Sequence, residues 1–228
     1  MKTYTPDELA AILSAHSEWL MDPSKGKRAG LRGSDLSGSD LSYSNLSGSN
    51  LSGSNLSGSN LRGSDLRGSD LSGSDLRGSD LIYSDLRGSD LSGSDLRGSD
   101  LSGSNLSGSN LRGSNLSGSI LPSFLIVPQQ GSFIAWKKAS GAVVKLEIPA
   151  DARRCNSLVG RKCRAEFVRV LAIDGDTTAG KSVAGSHDPG TVYTVGAVTR
   201  ADSYDDDIRV ECTHGIHFFI TKEEAEQW

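Results

Sequence analysis

Ser34-Asp35-Leu36-Ser37-Gly38 is one copy of a five-residue unit, Ser-(Asp/Asn)-Leu-(Ser/Arg)-Gly, that recurs almost without error from Ala29 to Leu121. It places a leucine at every fifth position from Leu31 onward. A helix needs apolar residues every three to four positions and a lone strand needs them at every second, so a strict five fits neither. The chain must turn after each leucine. The leucine and the small serine two residues before it can point inward, while Asp or Asn, the Ser or Arg after the leucine, and Gly face out or make the bend. One unit cannot bury its leucine alone, so the units must coil and stack. Disorder, which Gly and Ser richness often signals, does not account for a leucine held in phase through nineteen units.

These residues resemble the A(D/N)LXX motif of the pentapeptide-repeat family. The resemblance implies a mainly β fold, a right-handed quadrilateral β-helix with four units per coil. Serine (Ser34, Ser39, Ser44 and on to Ser119) stands at the inward position where that family usually has alanine. An unbonded buried hydroxyl costs roughly 1–3 kcal/mol, so each serine is expected to bond a backbone carbonyl or a neighbouring serine. Four units per coil put the leucines in four to five coils and, at about 4.8 Å per coil, make a rod about 22 Å long. Leu31, Leu36, Leu56, Leu76, Leu96, Leu116 and Leu121 are its expected core.

The chain has 228 residues, a formal charge of −4, and an abrupt change to ordinary composition after Leu121. It reads as residues 1–28 (capping helix and lead-in), 29–121 (solenoid), 122–131 (cap and linker) and 132–228 (a small β-rich α+β domain). No apolar stretch is long enough to span a bilayer, and the N-terminus lacks the basic start and apolar core of a signal peptide, so a cytoplasmic protein is expected. Cys155, Cys163 and Cys212, odd in number and irregularly spaced, do not outline a disulfide framework.

Both ends of a solenoid expose apolar cross-section and unpaired strand edges. At the N-terminus, Thr5, Pro6 and Glu8 form a capping box that opens a helix with Leu9, Ile12, Leu13, His16, Trp19 and Leu20 on one face, suited to cover the first coil. His16-x-x-Trp19-Leu20 also looks like the lead-in of many bacterial and phage pentapeptide proteins. Phe124, Leu125, Ile126 and Val127 are expected to cover the last coil. Beyond them, 133–138, 143–148, 163–173, 191–199 and 216–220 read as strands, Ser140-Gly141 as a tight turn, and Thr221 to Glu224 as the cap of a last helix through Trp228. The stretches 148–154, 160–166 and 212–221 resemble a domain of unknown function found behind pentapeptide repeats in phage and prophage proteins, which implies such an origin without giving an activity.

Gly175-Asp176-Thr177-Thr178-Ala179-Gly180-Lys181-Ser182 fits the Walker A expression. A phosphate site of that kind needs a helix starting at Lys-Ser, and Gly185, Pro189 and Gly190 oppose one, so a surface loop is expected. Cys212, His214 and His217 carry metal-ligating atoms, but in an extended segment His217 would point away from the other two, so no metal is assigned. Gly215 to Thr221, followed by Glu223 and Glu224, is vaguely similar to part of ADP-ribosyltransferase-like folds, but no complete catalytic constellation accompanies it. No catalytic residue and no cofactor is assigned. The acidic run at Asp202, Asp205, Asp206 and Asp207 reads as a solvated loop.

Acidic imitation of duplex DNA, presented to DNA gyrase, is the functional precedent that the family resemblance implies. The charge fits it poorly: ten Asp stand against seven Arg between Ala29 and Leu121, whereas duplex DNA carries one charge per roughly 1.7 Å. Asp65/Arg67, Asp75/Arg77, Asp85/Arg87 and Asp95/Arg97 also neutralise locally. Tyr43, Ile82 and Tyr83 interrupt the regular outer surface, with Tyr43 and Tyr83 in one column two coils apart and Gly63 between them. The reading is a non-enzymatic phage or prophage protein-interaction module: the solenoid is a rigid spacer or binding platform, and the C-terminal domain recognises a protein partner. Tyr43, Ile82, Tyr83, His214 and His217 form its contact surface, with no nucleic acid or membrane partner. The alternatives are a topoisomerase-directed DNA mimic and an undetected activity in the C-terminal domain.

Overall fold

The structure, a computed structural model, describes residues 1–122 and 126–228. The chain forms two compact units, Met1–Ser123 and Phe124–Trp228.

In the first unit, parallel bridges join each Asp or Asn to the residue twenty positions on, from Gly30↔Asn50 through Asn50↔Asp70 to Asp100↔Ile120. A coil is therefore twenty residues and four turns. One unit shows how the sequence makes them. Leu51 N–H donates to the Asp70 carbonyl at 2.7 Å, Gly53 N–H to Ser72 at 2.9 Å, and Asn50 N–H back to Ala29 at 3.0 Å. Ser54 N–H closes the turn on the Leu51 carbonyl at 3.1 Å. The fifth amide, Ser52 N–H, goes to the Asn50 side-chain oxygen at 3.1 Å. All five amides of the unit are thereby satisfied. This explains two positions beyond the leucine: Asp or Asn supplies the oxygen, and Gly53 supplies φ of +62° as third residue of the turn.

The inward serines bond backbone rather than one another; Ser54 Oγ, for example, donates to the Leu51 carbonyl at 2.7 Å. The hydroxyls of Ser49 and Ser104 are buried without a partner among the described residues. Leucines from Leu31 to Leu111, including Leu36, Leu56, Leu76 and Leu96, are at most 3 % exposed. Leu116 and Leu121, expected alongside them, are only half-buried. They lie in the coil that closes the ladder at Leu101 N–H to Ile120 carbonyl, and among the described residues no further coil stacks on it.

The chain start packs on the first coil. Strand β1 (Lys2–Thr3) pairs in parallel with β2 (Ser34–Asp35), on the edge opposite the Asp35↔Asn55 bridge. Two residues are too few for a periodic signal, and the sequence does not display this pairing. Helix α1 (Pro6–Met21) carries the expected capping box, with Leu9 and His16 buried and Ile12, Leu13, Trp19 and Leu20 half-buried. His16 is fully enclosed, stacks on Trp19, accepts from Ala29 N–H at Nδ1 (3.1 Å) and donates from Nε2 to the Ser47 carbonyl (3.1 Å). That arrangement requires the neutral ring.

The second unit is built from β3 (Phe133–Ala139), β4 (Ala142–Ile148), β5 (Arg154–Asn156), β6 (Cys163–Ala165), β7 (Phe167–Ile173), β8 (Ser182–Ala184), β9 (Val192–Thr194), β10 (Val198–Arg200), β11 (Ile216–Phe218) and α2 (Lys222–Gln227). Antiparallel sheets run in the orders β10-β7-β4-β3, β11-β6-β5 and β8-β9. Ser140 and Gly141, both at positive φ, make the two-residue turn between β3 and β4. The expected strand 163–173 is two strands in different sheets, changing over at Glu166, and 191–199 likewise divides into β9 and β10. Strands β5 and β8 lack apolar alternation and escape a sequence reading.

The segment read as linker belongs partly to this unit. Val127, expected over the last coil, packs with Ala135, Leu146, Val168 and Phe218 in the C-terminal core, where its side chain is 1 % exposed. Arg154 bonds the carbonyls of Pro128 at 2.9 Å and Gly131 at 3.0 Å. Phe124 and Leu125 lie outside the described residues. The other organiser is Arg164, 1 % exposed, whose guanidinium gathers the carbonyls of Asp205, Asp207, Val210 and Glu211. It folds the acidic segment inward as a loop; Asp207 further pairs with Arg209 at 2.7 Å, and Asp205 accepts from Thr213 at 2.7 Å.

Two expectations follow from this packing. Leu76→Asp should cost more than about 3 kcal/mol, because it leaves a buried charge without a partner, while Ser72→Arg, matching the arginines at Arg67 and Arg77, should stay within about 0.5 kcal/mol; denaturant unfolding of both variants measures the contrast. Burial, opposed by the Ser47 carbonyl and aided by Arg28, lowers the pKa of His16. The stability it supplies is therefore full above the unfolded-state pKa of about 6.5 and is lost as pH falls below it. Thermal melts at pH 7.5 and 5.5 should narrow the gap between the wild type and His16→Gln at the lower pH.

Candidate functional site

The third residue of every turn needs a left-handed backbone, and glycine provides it in all but two of the described repeats. Tyr43 and Tyr83 hold φ of +55° and +58°, a conformation that costs a side-chain-bearing residue roughly 1–2 kcal/mol. Each ring lies against the glycine one coil on: a Cβ at Gly63 would meet Tyr43 Cε1 at 2.6 Å, and one at Gly103 would meet Tyr83 Cε1 at 2.5 Å. The column thus alternates Tyr43, Gly63, Tyr83, Gly103. Both rings remain open to solvent, 76 % and 67 % exposed. Arg62 sets its guanidinium 5.4 Å from the Tyr83 ring centre, and half-buried Ile82 lies beside it, its carbonyl taking the Gly63 amide. Tyr and Arg are the residue types that most often dominate protein interfaces. Arg62 looks in sequence like any other repeat arginine; only its position twenty-one residues before Tyr83 marks it.

The neighbouring columns are electrically closed. Arg67 pairs with Asp65 at 2.5 Å and approaches Asp85 at 3.7 Å; Arg77 does the same with Asp75 at 2.5 Å and Asp95 at 3.8 Å. The hydrogen bond from Arg67 holds Asp65 below the usual carboxylate range, despite the raising effect of partial burial and of Asp85. With the arginine side chains about half exposed and the aspartates about a quarter, such pairs are worth no more than about 1 kcal/mol each. Their effect is to cancel the outward field.

In the second unit, His214 and His217 line a cavity of about 530 Å³ with Lys137, Lys162, His187 and Trp228. His214 is exposed and His217 half-buried. The segment before β11 bends instead of extending, so the face argument for Cys212 and His214 does not apply there. No cluster that could hold a metal is present among the described residues, and Cys212 Sγ instead lies 3.2 Å from Lys162 Nζ. Burial and the cations Lys162, Lys137 and Arg164 push the His217 pKa down to about 3. Lys137 and Lys162, which the sequence reading passed over, read there as ordinary strand and turn lysines. At the Walker-like loop, Lys181 Nζ pairs with Asp176 at 3.1 Å and strand β8 begins at Ser182, where a phosphate loop requires a helix N-terminus.

The pentapeptide-repeat family pattern matches residues 28–58, 59–98 and 84–121, and a family of unknown function, DUF5758, matches residues 123–225. A pentapeptide repeat protein from the cyanobacterium Cyanothece 51142 is 34 % identical over 44 % of this chain and 67 % of its own, with a TM-score of 0.41. One from the Arabidopsis thaliana thylakoid lumen is 34 % identical over 43 % of this chain and 70 % of its own, with a TM-score of 0.28. QnrB1, a plasmid-mediated fluoroquinolone resistance protein, is 22 % identical over 43 % of this chain and 70 % of its own, with a TM-score of 0.30. No curated protein matches the chain.

If the tyrosines serve contact rather than cohesion, removing them should not weaken the rod. Tyr83→Gly restores the residue that the turn prefers, and chemical denaturation should show stability unchanged or raised by up to about 1 kcal/mol. A loss beyond 1 kcal/mol would make the ring a structural fastener across Gly103.

Proposed function

The chain belongs to the pentapeptide-repeat family, and from that premise we propose that it is a non-enzymatic protein-interaction protein. The repeat solenoid is its rigid platform, and the DUF5758 region is a recognition domain. The observation that carries this reading is the pair Tyr43 and Tyr83: two exposed aromatic rings held in a backbone conformation that the other turns give to glycine, with Arg62 and Ile82 beside them. Strain retained at an exposed position argues for selection on contact. A stack of hydrogen-bonded coils holds the rings in fixed register two coils apart, roughly 10 Å at the usual interstrand spacing. A partner can then meet two aromatic anchors and a cation without an ordering cost on this side.

The C-terminal resemblance supports a phage or prophage origin and action in the cytoplasm of a bacterial host. Imitation of DNA before a topoisomerase is the weaker reading, because Arg67, Arg77, Arg87 and Arg97 each pair with an aspartate of their own unit. The closed columns support a contact driven by aromatic burial over one driven by long-range field.

Affinity capture from bacterial lysate tests this with the full chain and the Tyr43→Gly/Tyr83→Gly variant, both checked for equal thermal stability. The proposal expects a specific protein held by the wild type and lost from the variant. Equal capture by both would remove the tyrosine face from the function, and salt-sensitive inhibition of gyrase supercoiling by the chain would favour DNA mimicry.

A further inference from the structure

We propose that the cavity of the C-terminal domain binds a small ligand through a phosphoryl group, held by Lys137, Lys162 and the Nε2 atom of His217. Three observations converge on it. The cavity is an open recess of about 530 Å³ lined by residues of β3, β9 and β11, by loop residues between them and by Trp228, a size that suits a metabolite-sized ligand. Both lysines are held there without a carboxylate. Lys137 Nζ donates to the His217 carbonyl at 3.2 Å and lies 5.5 Å from the Tyr193 ring centre. Lys162, 6 % exposed, donates to Cys212 Sγ at 3.2 Å and sits 3.6 Å from the centre of the Trp228 ring. Neither makes an ion pair among the described residues. Finally, His217 Nε2 is buried without a hydrogen-bond partner among the described residues, an arrangement that costs free energy unless a ligand or water completes it.

The two carboxylates on the cavity wall are already engaged. Asp188 accepts from Thr191 Oγ1 at 2.5 Å and from Gly190 N–H at 3.1 Å, and Asp202 accepts from Ser203 N–H at 2.8 Å. Lys138, on the same wall, is turned to the Glu226 carbonyl at 2.9 Å. Neither carboxylate pairs with Lys137 or Lys162 among the described residues, and exposed His187 and His214 add imidazole groups to the lining. Two ammonium groups facing one space call for two negative charges on one ligand group. A phosphate monoester carries them at pH 8, with a second pKa near 6; a carboxylate carries one. Burial, with Lys162 close by, pushes the pKa of Lys137 down to about 8, so the empty site disfavours its own charge and a bound dianion would restore it.

Titration calorimetry of the full chain with inorganic phosphate at pH 8 and constant ionic strength, repeated in buffers of different ionisation heat, tests the proposal. The expected result is saturable binding at millimolar phosphate or below, at least tenfold tighter than acetate, with net proton uptake as Lys137 regains its charge. Lys137→Met should abolish the uptake and weaken binding at least tenfold at unchanged melting temperature. His217→Gln, which keeps a side-chain amide at the site, should weaken binding less than Lys137→Met. Failure to bind millimolar phosphate, acetate binding as tight as phosphate, or binding by the wild type without proton uptake would each overturn the assignment.

Discussion

Everything in the repeat region depends on the amides of Leu31 to Leu101 each reaching the carbonyl nineteen residues ahead, as Leu51 does to Asp70. That bond fixes the coil at four units and places the leucines of successive coils in register, inside. The other amides of the unit are spent on the next coil, the preceding coil, the turn, and the Asp or Asn side chain. A five-residue code with three nearly invariant positions is what remains when every backbone donor has a defined partner. The one freely variable position, Ser or Arg after the leucine, is the one whose side chain has no backbone duty. Function can be written there and at the glycine without disturbing the ladder.

Much of this was legible because the period is short and repeats nineteen times. The inward leucines and serines and the helix on one face followed from spacing, and the seating of the tyrosines in one column followed from twenty-residue arithmetic. The role of Asp and Asn in bonding an amide two residues on did not, because facing outward is all that the pattern says of them. The pairing of Lys2 and Thr3 with Ser34 and Asp35 was invisible for want of length. In the C-terminal domain, Arg164 and Arg154 organise segments far from them in sequence, and a buried arginine has no local signature. The cavity escaped for the same reason: Lys137 and Lys162 stand twenty-five positions apart and meet only through the fold.

Both units pair charges at their surfaces, and they differ at two lysines. Along the solenoid, arginine and aspartate two residues apart cancel each other at the surface, leaving the Tyr43–Arg62–Tyr83 face distinct by its aromatic character. In the C-terminal domain, Lys137 and Lys162 line a recess without an ion pair, and His217 Nε2 without a hydrogen-bond partner, among the described residues. Buried charge without a counter-charge is costly, which is the ground for the ligand proposed there. A platform that meets a macromolecule and a pocket that meets a small anion are compatible on one chain. The second need not alter the first.

Amide hydrogen exchange on the intact chain tests the central claim most directly, because the account assigns a partner to every amide of a repeat. It predicts slow exchange for the leucine amides from Leu46 to Leu101 and for the glycine amides between them, with the amides of Tyr43 and Tyr83 as protected as those of the glycines they replace. Fast exchange across those leucines, with protection confined to residues 133–220, would contradict it.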